Sequence, residues 1–177
     1  MEYNPRMKLL LACGGLLLAV CPTFAGGQTP ADAANAKSLG LVGKAAPEFN
    51  LPDFREQTFD LMDQRGQVVV LAFWATWCPP CRSEMPMLAR LQKELASKGV
   101  AVVPIAFDDP AKAKEFLTKK NIDVRSLMDK SGAVAALYGA HALPKTFVID
   151  RNGLVLKAFV GKVSEDEIRS AVQSALK

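Results

Sequence analysis

The stretch VVVLAFWATWCPPCRSEMP, residues 68–86, joins a strand pattern to a helix pattern. Its first half is a continuous run of β-branched, aliphatic and aromatic residues, which is typical of a strand buried on both faces. Its second half opens with two prolines, and apolar residues then recur at helical spacing up to Leu95. Two cysteines, Cys78 and Cys81, stand where the predicted strand gives way to the predicted helix.

The segments that follow continue to alternate between strand and helix patterns. Residues 100–107 (VAVVPIAF) predict a second buried strand, and Asp109 with Pro110 is suited to begin the next helix. A strand, a helix and a second strand in this order predict a parallel pair of strands joined by a right-handed crossover.

The last part of the chain predicts a β-hairpin and a closing helix. Residues 145–150 (KTFVID) and 154–161 (LVLKAFVG) flank an Arg-Asn-Gly turn, which adds an antiparallel pair to the sheet. Ser164 and Glu167 form a capping box at the start of the final helix. Two short candidate strands within residues 48–61 predict a small hairpin at the start of the domain. The whole pattern predicts an α/β three-layer sandwich, with a mixed central β-sheet and helices on both faces.

Residues 1–25 have the pattern of a secretory signal peptide. A short charged start precedes an apolar run over residues 9–20, and Thr23 and Ala25 supply small side chains before a cleavage site. The apolar run is shorter than the roughly 20 residues that span a bilayer. We therefore predict export to the periplasm or another extracytoplasmic compartment, with retention as an uncleaved membrane anchor as the alternative.

Residues 26–40 are rich in alanine, glycine and small polar side chains, so they predict a flexible linker to a single domain over residues 41–177. The chain has 177 residues, which suffices for one ordinary domain. Its formal net charge of +4 is too small to indicate nucleic-acid binding. We expect a monomer that binds no nucleic acid.

The cysteine pair allows a metal site, a structural disulfide or a redox centre. Signal cleavage would remove Cys13 and Cys21 and leave Cys78, Cys81 and His141, which are too few for a closed zinc site with four ligands. An open copper or zinc site stays as an alternative, although we expect no bound metal or cofactor. A static disulfide between cysteines three apart closes a very small loop and adds little entropic stabilisation.

A redox pair fits the position of the two cysteines best. Side chains three residues apart lie on one face of a helix, so the two sulfur atoms can meet in a Cys78–Cys81 disulfide. Cys78 falls at the helix N-terminus, where free N–H groups and the helix dipole stabilise a thiolate. We therefore assign Cys78 as the nucleophile that attacks a disulfide, and Cys81 as the thiol that resolves the mixed disulfide.

The residues around this pair resemble a known family. The segment FWATWCPPC resembles the active site of the thioredoxin superfamily. Residues 59–86 and residues 137–161 resemble its exported TlpA/ResA-type branch, which includes cytochrome c maturation proteins of the CcmG (DsbE) kind. The resemblance runs from residue 41 to the C-terminus and implies a thioredoxin-like fold.

The resemblance also implies a role for the loop before the predicted hairpin. Pro144 corresponds to the cis-proline that faces the cysteine pair, and the backbone of Leu143 would then pair with a substrate strand. Beside the nucleophile itself, we expect Trp77 and Pro79 to contact the client protein.

Glu84 is a candidate proton acceptor for Cys81. It follows Cys81 by three residues and therefore shares its helical face. ResA-type proteins have an acidic residue at this position, whereas the acidic position of ordinary thioredoxins, six residues before Cys78, is Ala72 here. The alternative is a solvated glutamate in the first part of the helix.

Pro79 and Pro80 favour a pair that donates electrons. Neither has a backbone N–H, so two hydrogen bonds to the Cys78 sulfur are missing. A strongly oxidising pair needs a strongly stabilised reduced form. The two prolines therefore predict a reductase.

These features together predict an exported thiol–disulfide reductase of client proteins. The resemblance implies apocytochrome c or copper-site proteins as clients, and a membrane electron donor of the DsbD/CcdA kind. A thiol peroxidase of the AhpC/TSA (peroxiredoxin) type is one alternative, but the threonine that lies three residues before the peroxidatic cysteine there is Ala75 here. A dithiol copper carrier is the other alternative.

Overall fold

The computed structural model describes residues 29–177. In chain order the elements are α1 (Pro30–Leu39), β1 (Asn50–Pro52), β2 (Thr58–Asp60), β3 (Val68–Trp74), α2 (Pro79–Leu95), β4 (Val100–Ala106), α3 (Pro110–Lys119), β5 (Leu127–Met128), α4 (Ala133–Leu137), β6 (Lys145–Ile149), β7 (Val155–Val160) and α5 (Glu165–Ala175). Within these residues, no helix is both long and apolar enough to cross a membrane. The predicted signal peptide lies outside the described residues.

The central sheet has five strands in the order β5-β4-β3-β6-β7. Strands β3, β4 and β5 run parallel, whereas β6 is antiparallel to both of its neighbours, β3 and β7. Strands β1 and β2 form a separate antiparallel hairpin. The predicted mixed sheet and the predicted N-terminal hairpin are therefore confirmed.

Strand β3 lies in the middle of the sheet and is buried along its whole length. Its successive side chains point to opposite faces of the sheet. Val70 and Trp74 belong to a core cluster with residues of α2, α3 and α5, whereas Leu71 and Phe73 belong to a second cluster with residues of α4. Helices therefore cover both faces, which explains the unbroken apolar run in the sequence.

The sequence predicts a flexible linker over residues 26–40, and helix α1 corrects that prediction over residues 30–39. Thr29 begins the helix with a capping box, which satisfies two of its free backbone N–H groups. Near the end of the helix, the buried Ser38 hydroxyl donates to the carbonyl oxygen of Tyr138 at 2.8 Å. The sequence pattern does not predict this helix, because Ser38 is its one buried residue and the helix therefore has no hydrophobic periodicity.

The contact between α1 and the turn after α4 can be tested at Gly139. This residue has a φ of 63°, and an added Cβ would lie 2.6 Å from the carbonyl oxygen of Ala34 in α1. Gly139→Ala should therefore lower the free energy of unfolding by about 3 kcal/mol. Alanine is strained at this left-handed φ, and its Cβ would also clash with the Ala34 carbonyl oxygen.

Gly66→Ala is the matched control for this prediction. Gly66 has a φ of 88°, but its added Cβ meets nothing within 4 Å, so only the backbone penalty applies. The control should lose about 1 kcal/mol. Equal losses for the two variants in urea unfolding would contradict the close contact with α1.

Candidate active site

Cys78 is the N-cap of helix α2, just after the turn that leaves β3. The structure joins it to Cys81 in a disulfide, with the two Cα atoms 5.3 Å apart. The Cys81 backbone N–H donates to Cys78 Sγ at 3.3 Å. Pro79 and Pro80 lie between the two cysteines and have no N–H to donate. The helix therefore offers Cys78 the N–H of Cys81 and the positive end of its dipole.

Trp77 and Pro79 belong to the protein surface beside the pair. Both flank Cys78 in the chain and both are exposed, Trp77 by 60%, whereas the two cysteines are buried. Trp74, by contrast, is buried, and its indole Nε1 donates to Ser126 Oγ at 3.1 Å. Trp77 is thus free to contact another protein, and Trp74 belongs to the core.

The loop before β6 contains a cis peptide bond between Leu143 and Pro144, as the resemblance implies. Pro144 is buried and Leu143 is half-buried. The next residue, Lys145, pairs with Phe73 near the end of β3. The sheet therefore brings this loop to the end of β3 from which the chain continues to the cysteine pair.

Lys145 supports this loop from inside the protein. Its side chain is fully buried, and Nζ donates to the carbonyl oxygens of Gly139 at 3.2 Å and Ala142 at 2.8 Å. Burial lowers the pKa of Lys145. The two hydrogen bonds tie the loop to the start of β6, a contact that sequence reasoning did not identify.

Glu84 is a buried carboxyl group one helical turn beyond Cys81. Only 4% of the residue is exposed, and its Oε1 accepts a hydrogen bond from the Val163 backbone N–H at 2.8 Å. Burial raises the pKa of Glu84, although the Val163 hydrogen bond and the charge of Lys162 offset part of that rise. The alternative interpretation as a solvated surface glutamate is therefore wrong, because the protein encloses the side chain.

Asp108 is a further residue near the site that sequence reasoning missed. It follows β4, and its Oδ2 accepts hydrogen bonds from the backbone N–H of Thr76 at 2.7 Å and from the Thr76 hydroxyl at 2.5 Å. Because Thr76 lies two residues before Cys78, Asp108 holds the turn that leads to the cysteine. Topology could have pointed to it, since the carboxyl ends of neighbouring parallel strands meet at one edge of a sheet.

Comparison with known proteins places the chain in a family. Residues 42–158 match the model of the AhpC/TSA family. The chain belongs to this family. The thiol-disulfide oxidoreductase ResA of Geobacillus thermodenitrificans is 33% identical over 139 residues, which cover 78% of this chain and 80% of ResA. The thioredoxin-like protein YneN of Bacillus subtilis is 36% identical over 137 residues, which cover 75% of this chain and 79% of YneN.

A solved structure from Chlorobium tepidum, provisionally named the thiol:disulfide interchange protein DsbE, is similar with a TM-score of 0.71. The two chains are 34% identical, and the match covers 77% of this chain and 98% of the other. The fold is therefore thioredoxin-like, as predicted. With Cys78 and Cys81 at the start of α2, this member of the family is a thiol–disulfide oxidoreductase.

The raised pKa of Glu84 predicts a pH-dependent stability. Consider a pH between the ordinary pKa of 4.5, which applies to the unfolded chain, and the higher pKa of Glu84 in the folded protein. In this range the folded protein holds a proton that the unfolded chain has released, so stability falls as the pH rises. Glu84→Gln removes this loss and can keep the hydrogen bond from Val163. As the pH rises from about 4 to about 8, the free energy of unfolding of the variant should therefore increase relative to that of the wild type, measured by urea unfolding of the oxidised forms.

Glu115→Gln is a control of opposite sign. A hydrogen bond with Lys119 lowers the pKa of the exposed Glu115, so the stability that this contact contributes is present above the ordinary value of 4.5 and is lost as the pH falls below it. Glu115→Gln should therefore be slightly less stable than the wild type, by an amount that stays constant between about pH 5 and about pH 8. A difference between Glu84→Gln and the wild type that does not change with pH would contradict the burial cost at Glu84.

Proposed function

We propose that the Cys78–Cys81 pair reduces disulfides in exported client proteins. The two prolines at the start of α2 support this direction of electron flow. The first three residues of α2 are Pro79, Pro80 and Cys81. Because a proline has no N–H, only the N–H of Cys81 among these three can donate to Cys78 Sγ. A less stabilised thiolate destabilises the reduced form, which makes the pair a better electron donor.

The proposed reaction moves two electrons by thiol–disulfide exchange. The Cys78 thiolate attacks one sulfur of the client disulfide, which breaks that S–S bond and releases one client thiolate. The Cys81 thiolate then attacks the Cys78 sulfur, forms the Cys78–Cys81 disulfide and releases the second client thiolate. The two protons of the dithiol balance the two client thiolates, and a reducing partner must return two electrons to the pair.

In this cycle, Glu84 takes the proton from the Cys81 thiol. The carboxyl group lies one helical turn beyond Cys81 and on the same face. Its burial raises the pKa toward the pH at which a general base is effective. The Val163 N–H holds Oε1, which fixes the orientation of the carboxyl group.

The client protein would lie across Trp77, Pro79 and the cis-proline loop. Trp77 is a large exposed aromatic side chain beside the nucleophile, and such side chains are favoured at protein interfaces. The backbone of Leu143, next to Pro144, is suited to pair with an extended client segment, as in strand addition.

The proposed location is the periplasm or another extracytoplasmic compartment, and the signal pattern of residues 1–25 supports it. Disulfides form and persist in such compartments. The resemblance to the TlpA/ResA-type branch supports apocytochrome c or copper-site proteins as clients. It also supports a membrane electron donor of the DsbD/CcdA kind, and we propose that the protein acts as a monomer.

A Cys81→Ser variant tests the proposed function. Without the resolving thiol, the mixed disulfide between Cys78 and the client should accumulate as a band on non-reducing gels that a thiol reductant removes. Cys78→Ser is the control and should trap nothing, because it lacks the nucleophile. Mass spectrometry of the band identifies the client, and the absence of any trapped protein would contradict the proposal.

The role of the two prolines predicts a shift in reduction potential. Pro80→Ala adds an N–H at the second helical position, from which an N-cap side chain accepts, so it should stabilise the Cys78 thiolate. The potential should rise by about 30 mV, which corresponds to one hydrogen bond to a charged group.

Pro79→Ala is the matched control for Pro80→Ala. Its new N–H lies at the first helical position, which does not serve the N-cap side chain, so its potential should stay within about 10 mV of the wild type. The reduction potentials of both variants are measured by equilibration with glutathione buffers. The same potential for both would exclude the missing Pro80 N–H as the cause.

A further inference from the structure

Helices α2 and α3 border a groove of about 410 Å³ that begins beside Cys78. We call it the α2–α3 groove, and its lining includes Pro79, Arg82, Pro86, Phe116, Lys120 and Ile122. Pro79 follows Cys78 directly in the chain. A protein whose sulfur reaches Cys78 is therefore close enough to place its neighbouring residues over this groove.

The groove carries positive charge that the described residues leave unpaired. Arg82 and Lys120 are both exposed, and neither has a carboxylate within 4.0 Å among residues 29–177. Farther along α2, Arg90 and Lys93 each have a carboxylate partner, at 2.9 and 3.0 Å. Arg82 is thus the free cation near the reacting cysteine, whereas Lys120 lies toward the Pro86 end of the groove, because Lys120 and Pro86 also line the neighbouring pocket that Arg90 and Lys93 border.

The walls of the groove are apolar. Pro86 lies on one side, and Phe116 and Ile122 lie on the other. The Phe116 ring packs on the core residue Trp74 with the ring centroids 5.7 Å apart, so this wall is held by the core. Apolar walls combined with cations suit a peptide segment, which brings both a backbone with side-chain carbons and a carboxylate.

We infer that the α2–α3 groove binds an acidic segment of the client protein next to the client's reacting cysteine; this rests on the proposed function. Pro79 and Pro86 are about 10 Å apart along the helix, at about 1.5 Å per residue. About three residues of an extended chain span that length. A glutamate or aspartate about two to four residues from the client cysteine would therefore reach Arg82 and Lys120.

Peptide disulfides with different flanking charges test this inference. Each peptide contains one Cys-Gly-Gly-Cys disulfide, with glutamate in one peptide and lysine in the other at the third position outside each cysteine. The second-order rate constant of reduction by the reduced protein is measured by acid quench and chromatography. The wild type should react about tenfold faster with the glutamate peptide at about 20 mM NaCl, and the preference should nearly vanish at about 500 mM NaCl.

Variants are compared by the rate constant for the glutamate peptide divided by that for the lysine peptide. A change in the reactivity of Cys78 affects both rate constants equally and therefore cancels in this ratio. Lys120→Glu should lower the ratio at least about threefold, and Arg82→Gln should lower it independently. Lys98→Glu makes the same charge change at an exposed position three residues beyond the end of α2, far from Cys78, and should leave the ratio unchanged.

Three results would overturn the inference, each in a different way. If the wild type reduces both peptides with equal rate constants, the groove does not select acidic segments, and the proposed function stays intact. Failure of the wild type to reduce either peptide would overturn the proposed function and the inference with it. Equal peptide rates, together with Lys120-dependent binding to vesicles of anionic lipid, would assign the groove to a membrane surface instead.

Discussion

Strand β3 is buried on both faces, and this burial fixes the positions of the elements around it. The strand pairs with β4 on one side and with β6 on the other, so a shift in register would disrupt both pairings and exchange its two buried faces. Its last residue, Trp74, is held by the Phe116 ring and by a hydrogen bond to Ser126. The chain therefore leaves the sheet at a fixed point and brings Cys78 to the start of α2.

This rigid frame allows the site to bury two ionisable groups that would otherwise remain in water. Glu84 and Lys145 are both almost fully enclosed, and neither has an ion-pair partner within 4.0 Å among residues 29–177. Backbone groups solvate them instead: the Val163 N–H for Glu84, and two loop carbonyl oxygens for Lys145. Burial without a strong counter-charge moves the pKa of each group toward neutrality, which favours proton exchange at Glu84.

The sequence predicts the elements that bury apolar side chains in a regular pattern and misses those that do not. Strand β3 shows an unbroken apolar run, and α2 shows helical spacing, because each lines the core. Helix α1 buries Ser38 alone, so periodicity could not reveal it. The contacts of Glu84 with Val163 and of Thr76 with Asp108 join residues 79 and 32 positions apart, and no local pattern encodes such pairs.

The reduction potential of the Cys78–Cys81 pair decides whether this protein gives electrons to its clients or takes them. The purified protein is equilibrated with glutathione buffers of graded ratio, and the oxidised fraction is measured after acid quench. We predict a potential nearer to that of thioredoxin, about −270 mV, than to that of the oxidant DsbA, about −120 mV. A potential near that of DsbA would contradict a reductase, because such a pair takes electrons from client thiols.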